Sequence, residues 1–137
     1  MSETFAMLKP DALKEGLGST IRHQLLEAGF TIVKERLVFA TREQLDEHYA
    51  HLVDKPFYES VCAYMQSGPC YAMLLEAPDA VTKLRSLVGD TNPLKADRTS
   101  IRGRYGHVGA NGTIYNVIHA SDSEDAVTRE EAIWLVN

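Results

Sequence analysis

Four strand-like segments, at residues 4–8, 31–40, 70–75 and 113–119, alternate along this chain with segments whose apolar residues recur at helical spacing. Short runs of that kind suit buried strands, and a recurrence every three to four residues suits one face of a helix. A chain that alternates between the two must stack helices on a sheet, because neither layer buries its apolar face alone.

The run at 4–8 ends at Lys9-Pro10. Leu17, Ile21, Leu25 and Ala28 then fall on one helix face, with Gly29 as the expected stop. Residues 31–40 are rich in β-branched side chains. Thr41 with Gln44 forms a capping box, and Leu45, His48, Tyr49 and Leu52 line the helix that it opens. Asp54-Lys55-Pro56 breaks that helix. Phe57, Val61 and Tyr64 mark another, ended by Ser67-Gly68-Pro69. After the strand at 70–75, Pro78 opens a helix with Val81, Leu84 and Val88 inward and Gly89 past its end. Residues 89–112, with Pro93 and five glycines, read as a long functional loop. Ser121 and Glu124 make a second capping-box pattern, opening a short helix before Ile133-Trp134-Leu135. The order β-α-β-(αα)-β-α-β-α predicts an α+β fold. Its core is a ferredoxin-like four-stranded antiparallel sheet with helices packed on it and an extra helical pair between strands 2 and 3. That topology carries many unrelated activities.

The length of 137 residues suits a single domain over 1–137, and 45% hydrophobic with 24% charged residues is a globular balance. A net charge of -5 argues against nucleic acid as the main ligand, while leaving room for a locally basic pocket. Cys62 and Cys70 lack metal-site spacing and read as buried thiols of a reducing compartment. No signal peptide or membrane-length run is expected, so a cytoplasmic location is.

Chemistry concentrates in Asn116-Val117-Ile118-His119-Ala120-Ser121-Asp122. A histidine at the end of an apolar strand sits on a rigid element, and at pH 7 an ordinary imidazole is mostly neutral and nucleophilic. By itself the pattern also fits a surface histidine beside a helix cap.

This segment resembles the N-x-x-H-[GA]-S-D signature of the nucleoside diphosphate kinases. Lys9-Pro10-Asp11, His48-Tyr49, Lys55-Pro56-Phe57, Ser67-Gly68-Pro69, Gly89-Asp90-Thr91-Asn92-Pro93 and Ser100-Ile101-Arg102-Gly103 resemble further elements of that family, in the same order and over nearly the whole chain. The resemblance implies transfer of a terminal phosphate between nucleotides in two half-reactions, through a phosphohistidine on His119. It assigns Lys9 to the transferred phosphate and the sugar, and Tyr49 to a place beside the histidine. Phe57 would stack on the base. Arg85, Thr91 and Arg102 would hold the outer phosphates, and Asn116 the ribose 3′-hydroxyl. Glu130 would orient the imidazole, and Ser121 would support Glu130. It further implies Mg²⁺ held mainly by nucleotide phosphates and water, with Asp122 as an outer-sphere contact. The expected partners are nucleoside triphosphates and diphosphates, and the expected assembly is a homo-oligomer built from dimers, a tetramer or a hexamer.

The residue chemistry suits those roles. Phosphoryl transfer needs positioning and fixed positive charge, which arginine forks and a lysine supply. An aromatic stack accepts any base. Nothing reads as a phosphate-cradling G-x-x-x-x-G-K-[ST] loop, so side chains must hold the phosphates. Plainer readings of single residues stay open: Tyr49 as a core-edge tyrosine, Phe57 as a helix-start staple, Arg85 as a solvated arginine, Glu130 as part of an acidic run, Thr91-Asn92-Pro93 as a turn. A non-catalytic regulatory module and a small-molecule-sensing domain are the rival functions. The connection from Arg104 to Tyr115 is longer than the family pattern, and Asn111-Gly112 predicts a type I′ turn of a small hairpin there.

Overall fold

The computed structural model describes residues 1–110 and 112–135. Its main sheet has the order β2-β3-β1-β6 and is antiparallel throughout. The strands are β1 (Ser2–Leu8), β2 (Thr31–Val38), β3 (Cys70–Ala77) and β6 (Ile118–Ala120). β1 lies inside the sheet and is buried on both faces. Ala6 and Leu8 join one apolar cluster with Ile21, Leu25, Met73, Leu84 and Val88, while Phe5 and Met7 join the other with Leu45, Met65, Leu74 and Trp134. That is why β1 reads as a continuous apolar run and not as an alternation. Each fully buried Leu, Phe or Met of these clusters contributes about 1.5–3 kcal/mol.

Helices therefore cover both faces. α2 (Gly18–Glu27) and α5 (Ala80–Val88) pack on one, and α3 (Arg42–His48), α4 (Tyr58–Met65) and α7 (Glu124–Trp134) on the other. α1 (Pro10–Lys14) is a single turn after β1 that the apolar pattern did not announce. α2 stops at Gly29, whose φ of 101° is open to glycine. Gly29 N–H donates to the Leu26 carbonyl and Phe30 N–H to the Leu25 carbonyl, a Schellman closure. The capping box of Thr41 and Gln44 is present. α3 ends at His48, however, so Tyr49 and Leu52 lie in the turns that follow, not on the helix.

Other expectations are corrected in detail. α5 begins at Ala80 behind Asp79, whose φ is 49°, and Val81 is only half-buried. The span 89–112 is not structureless. It holds α6 (Ile101–Tyr105), capped by the Ser100 hydroxyl, and β4 (His107–Val108). The expected fourth strand is two pieces. β5 (Ile114–Tyr115) pairs with β4 as the small hairpin, and β6 pairs with β1. Gly109 N–H donates to the Thr113 carbonyl at 2.8 Å; Asn111, on which the expected type I′ turn rests, lies outside the described residues. Between the pieces Val117 has φ 62°, a left-handed conformation that costs a β-branched residue about 1–3 kcal/mol. Finally, the cap of α7 is the Ser123 hydroxyl, which accepts from Ala126 N–H. α7 also runs on through Ile133 to Trp134 and is not a short helix ahead of them.

Candidate active site

His119 sits in β6 opposite Met7 of β1, on a strand that the sheet holds in place. Its Nε2 is 2.8 Å from Glu130 Oε1, and the same oxygen accepts the Ser121 hydroxyl. Ser121 is thus engaged with Glu130, and α7 starts on Ser123 instead. Glu130 is 3% exposed, so its contacts are protected from water. With Nε2 committed to the carboxylate, Nδ1 is the nitrogen with a free lone pair. Burial lowers the His119 pKa, with Lys9 and Arg102 adding to the effect and Glu130 opposing it. The ring is therefore neutral at pH 7.

Positive charge brackets this ring through the backbone of β6. Arg102 donates to the Ile118 carbonyl at 2.8 Å and to the Gly89 carbonyl at 3.1 Å, and Arg85 lies 3.5 Å from the Ala120 carbonyl. Arg102 is buried; burial first, then Arg85, lowers its pKa to about 10, which leaves it charged. Its place depends on Gly103, where a Cβ would collide with the Asp97 carbonyl, and on Gly89, where one would collide with Ser100. Lys9 leaves β1 with its ammonium 2.8 Å from Asn116 Oδ1, and the Asn116 amide donates to the Thr91 carbonyl. The turn at Val117 makes this junction, since Lys9 N–H donates to the Val117 carbonyl. Burial, followed by Arg102, brings the Lys9 pKa down to about 8.

These groups surround a cavity of about 280 Å³. Tyr49, Arg85, Thr91, Arg102, His119, Asp122 and Glu130 line it. Tyr49 is a neutral phenol, its pKa raised chiefly by burial. A nucleophilic nitrogen, a fixed tautomer and two arginines around one cavity match the needs of phosphoryl transfer.

Comparison with known proteins agrees with that chemistry. The family model described as nucleoside diphosphate kinase matches residues 2–137. The chain belongs to the nucleoside diphosphate kinase family.

It is 39% identical over 136 residues to the nucleoside diphosphate kinase of Streptococcus uberis, covering 98% of this chain and 94% of that one. It is 40% identical over 130 residues to that of Listeria monocytogenes, covering 95% and 86%. Among solved structures, the apo enzyme of Encephalitozoon cuniculi superposes with a TM-score of 0.90 at 37% identity, covering 100% of this chain and 90% of that one. The Halobacterium salinarum enzyme in complex with CDP gives 0.87 at 38% identity, covering 96% and 86%. Members of the family are phosphotransferases, and their general mechanism passes through a phosphohistidine.

Within this nucleoside diphosphate kinase fold the expected site residues do not all meet in one place. Phe57 is 51% exposed and lines a separate cavity of about 390 Å³ with Ser60, Val61, Tyr64, Gly112, Thr113 and Ile114. Lys9 and Asn116 are outside the cavity lining; Lys9 donates to Asn116, and Asn116 to the carbonyl of the lining residue Thr91. Three polar lining residues had no site role in the sequence expectation: His48, His51 and Arg129. Each is within two residues of an expected site residue, Tyr49 or Glu130. Their signal was proximity in the chain, which gives no role.

Proposed function

We propose that His119 Nδ1 is the nucleophile of this chain, and that the whole of 1–137 acts as one nucleoside diphosphate kinase domain. The observation that carries the reading is the His119–Glu130 contact at Nε2, which leaves Nδ1 free in a cavity bracketed by Arg85 and Arg102. The Nδ1 lone pair attacks the γ-phosphorus of a nucleoside triphosphate, and the bond to the bridging oxygen breaks. The diphosphate leaves with that electron pair. The imidazole keeps its Nε2 proton, and Glu130 balances the positive charge that spreads over the ring. A second nucleoside diphosphate then attacks the same phosphorus and restores neutral His119.

Lys9, Arg85, Arg102 and Thr91 hold phosphate oxygens in this reading. Tyr49 donates beside the ring, Ser121 fixes Glu130, Asn116 takes the ribose 3′-hydroxyl, and Phe57 stacks on the base. The divalent ion is Mg²⁺. The cavity offers it one uncommitted carboxylate, Asp122, because Glu130 Oε1 serves His119 and Ser121. That donor set fits an ion carried by nucleotide phosphates and water, with Asp122 at its edge. The ion would neutralise phosphate charge, which the two arginines share.

The edge strand β2 and the residue after it support an assembly of dimers, since they leave Val33, Leu37 and Phe39 exposed. Light scattering should show a homo-oligomer, a tetramer or a hexamer. Among the described residues no helix is long and apolar enough to cross a membrane, and both cysteines are free. A cytoplasmic location is consistent with both.

The deciding experiment mixes the protein with ATP, Mg²⁺ and GDP. GTP should appear, and ATP with UDP or CDP should behave likewise. Absence of transfer to any diphosphate would favour a non-catalytic module.

A further inference from the structure

His48 is a buried ring at the end of α3 that lines the cavity yet takes no part in the mechanism above. Its Nδ1 is 3.0 Å from Trp134 Nε1 of α7. An indole N–H only donates, so His48 Nδ1 must hold the lone pair and Nε2 the proton. His48 stands edge-on to His119, with ring centroids 4.5 Å apart and planes at 75°. It also meets Tyr49 at 4.6 Å and Trp134 at 5.6 Å. Phe5 lies 6.1 Å from the His119 ring. Gln44 of α3 donates to the Ile133 carbonyl of α7 at 3.2 Å, so the two helices that carry His48 and Trp134 are tied beside that pair.

We propose that His48, locked as its Nε2–H tautomer by Trp134, is a positioning residue that holds the His119 ring in the orientation placing Nε2 on Glu130 and Nδ1 toward the phosphate. The inference rests on His119 being the nucleophile.

The ring is a wall, and its neutrality matters as much as its shape. A protonated His48 would set a second N–H against the indole N–H, two donors facing each other. It would also place a cation near the Glu130 carboxylate: the donor atoms of His48, His119 and Glu130 all lie within 4.8 Å of one another. A charged N–H there competes with His119 for Glu130 and turns the nucleophile out of its orientation. Burial opposes that charge first. His119 on β6, Lys9 after β1, Arg129 on α7 and His51 after α3 then add to it, and the His48 pKa falls to about 2. Glu130 is the carboxylate facing it, and Tyr49 beside it is neutral.

The same tautomer argues against the other reading of this trio, a transition-metal site. Three such groups within 4.8 Å have suitable spacing. With Nδ1 taken by Trp134 and Nε2 protonated, however, His48 has no lone pair to give a metal.

The test uses the whole chain, its spectra and its phosphorylation kinetics. Long-range ¹H–¹⁵N spectra of the wild type should show His48 as the neutral Nε2–H form from pH 5 to 9. His48→Ala should slow single-turnover phosphorylation by ATP about tenfold to a hundredfold, the scale of a displaced reacting group, with the Kd for ATP unchanged within twofold. His48→Phe, which restores a neutral ring, should recover part of that loss. Trp134→Phe removes the N–H together with part of a fully buried indole; in the folded variant the phosphorylation rate should develop an acid limb near the pH at which His48 now titrates. An Nδ1–H tautomer in the wild type would overturn the proposal. So would wild-type phosphorylation in a folded His48→Ala, or a defect confined to Kd. Should His48→Ala fail to fold, the tautomer and the Trp134→Phe pH profile decide. A wild type that takes no phosphate on His119 would instead defeat the functional reading, whatever the His48 spectra show.

Discussion

The two sides of the cavity are built differently. On one side, His119 lies in β6, and Glu130 comes from the middle of α7. Regular hydrogen bonds fix both backbones, and the ring, the carboxylate and the Ser121 hydroxyl are tied together. On the other side, residues 89–105 supply Thr91 and Arg102 from turns and a five-residue helix. Asn92, Leu94 and Thr99 each donate a backbone N–H to a side chain two residues back, so local polar contacts replace a ladder there. The difference separates two tasks. Under the proposed function, orientation of the nucleophile comes from the regular side, and grip on a changing set of nucleotides from the looped side. Loops commonly carry binding on a rigid scaffold.

Arg102 bridges the two sides through the Ile118 and Gly89 carbonyls, so it should show the largest effect. Arg102→Met, which keeps the buried stem, should lower kcat about 10²–10³-fold, as loss of one fixed charge donor does, and weaken nucleotide binding as well. Steady-state kinetics with ATP and a diphosphate would check it. A normal kcat would mean that Arg102 is only a structural tie.

Glu130→Gln belongs wholly to the regular side. It should slow phosphorylation about tenfold to a hundredfold through misorientation of the ring, with the Kd for ADP unchanged. A variant weakened only in binding would erase the distinction between the two sides. Phe57→Ala is its counterpart on the nucleotide side. It should cost about 1–3 kcal/mol of nucleotide binding, the worth of one aromatic–base stack, measured by calorimetry, with kcat near normal. An unchanged Kd would make Phe57 a plain helix-start residue, in line with its place ahead of α4.

The smallest expected effect is the pH dependence. Lys9 loses its proton near pH 8, so kcat/KM should fall as the pH rises through that value, where an ordinary lysine would hold its charge to about 10.4. The acid side should move the other way. Burial keeps His119 neutral below the ordinary imidazole range, so activity should persist to lower pH than a free imidazole would allow. A flat profile between pH 7 and 9 would remove Lys9 from the phosphate-binding set.

The contrast between the sides also explains what the chain revealed in advance. The sheet strands, the helical pair and the stop at Gly29 were legible because apolar period and turn chemistry are local properties. The residues around His119 were legible through motif resemblance. What escaped depends on contacts distant in sequence. Ser121 and Glu124 look like a capping box, but the Ser121 hydroxyl is drawn to Glu130 nine residues on, and Ser123 takes the cap. Residues 113–119 look like one strand, but the left-handed Val117 splits them so that β5 can pair with β4 and β6 with β1. Residues 101–105 form a helix too short for a period to show. His48 falls on the expected helix face and in the His48-Tyr49 element, but neither gives its proposed role, because that role depends on Trp134, 86 residues away.

In the proposed mechanism phosphate passes through Nδ1 of His119. The protein should be incubated with γ-labelled ATP and Mg²⁺ without acceptor, and the product examined by ³¹P NMR and by acid and base treatment. One label per chain is expected, on Nδ1 of His119, stable in base, lost in acid, and discharged into GTP when GDP is added. His119→Ala should fold normally yet take no label and transfer no phosphate. Label that survives acid, label on Nε2, or near-normal transfer by His119→Ala would contradict the account.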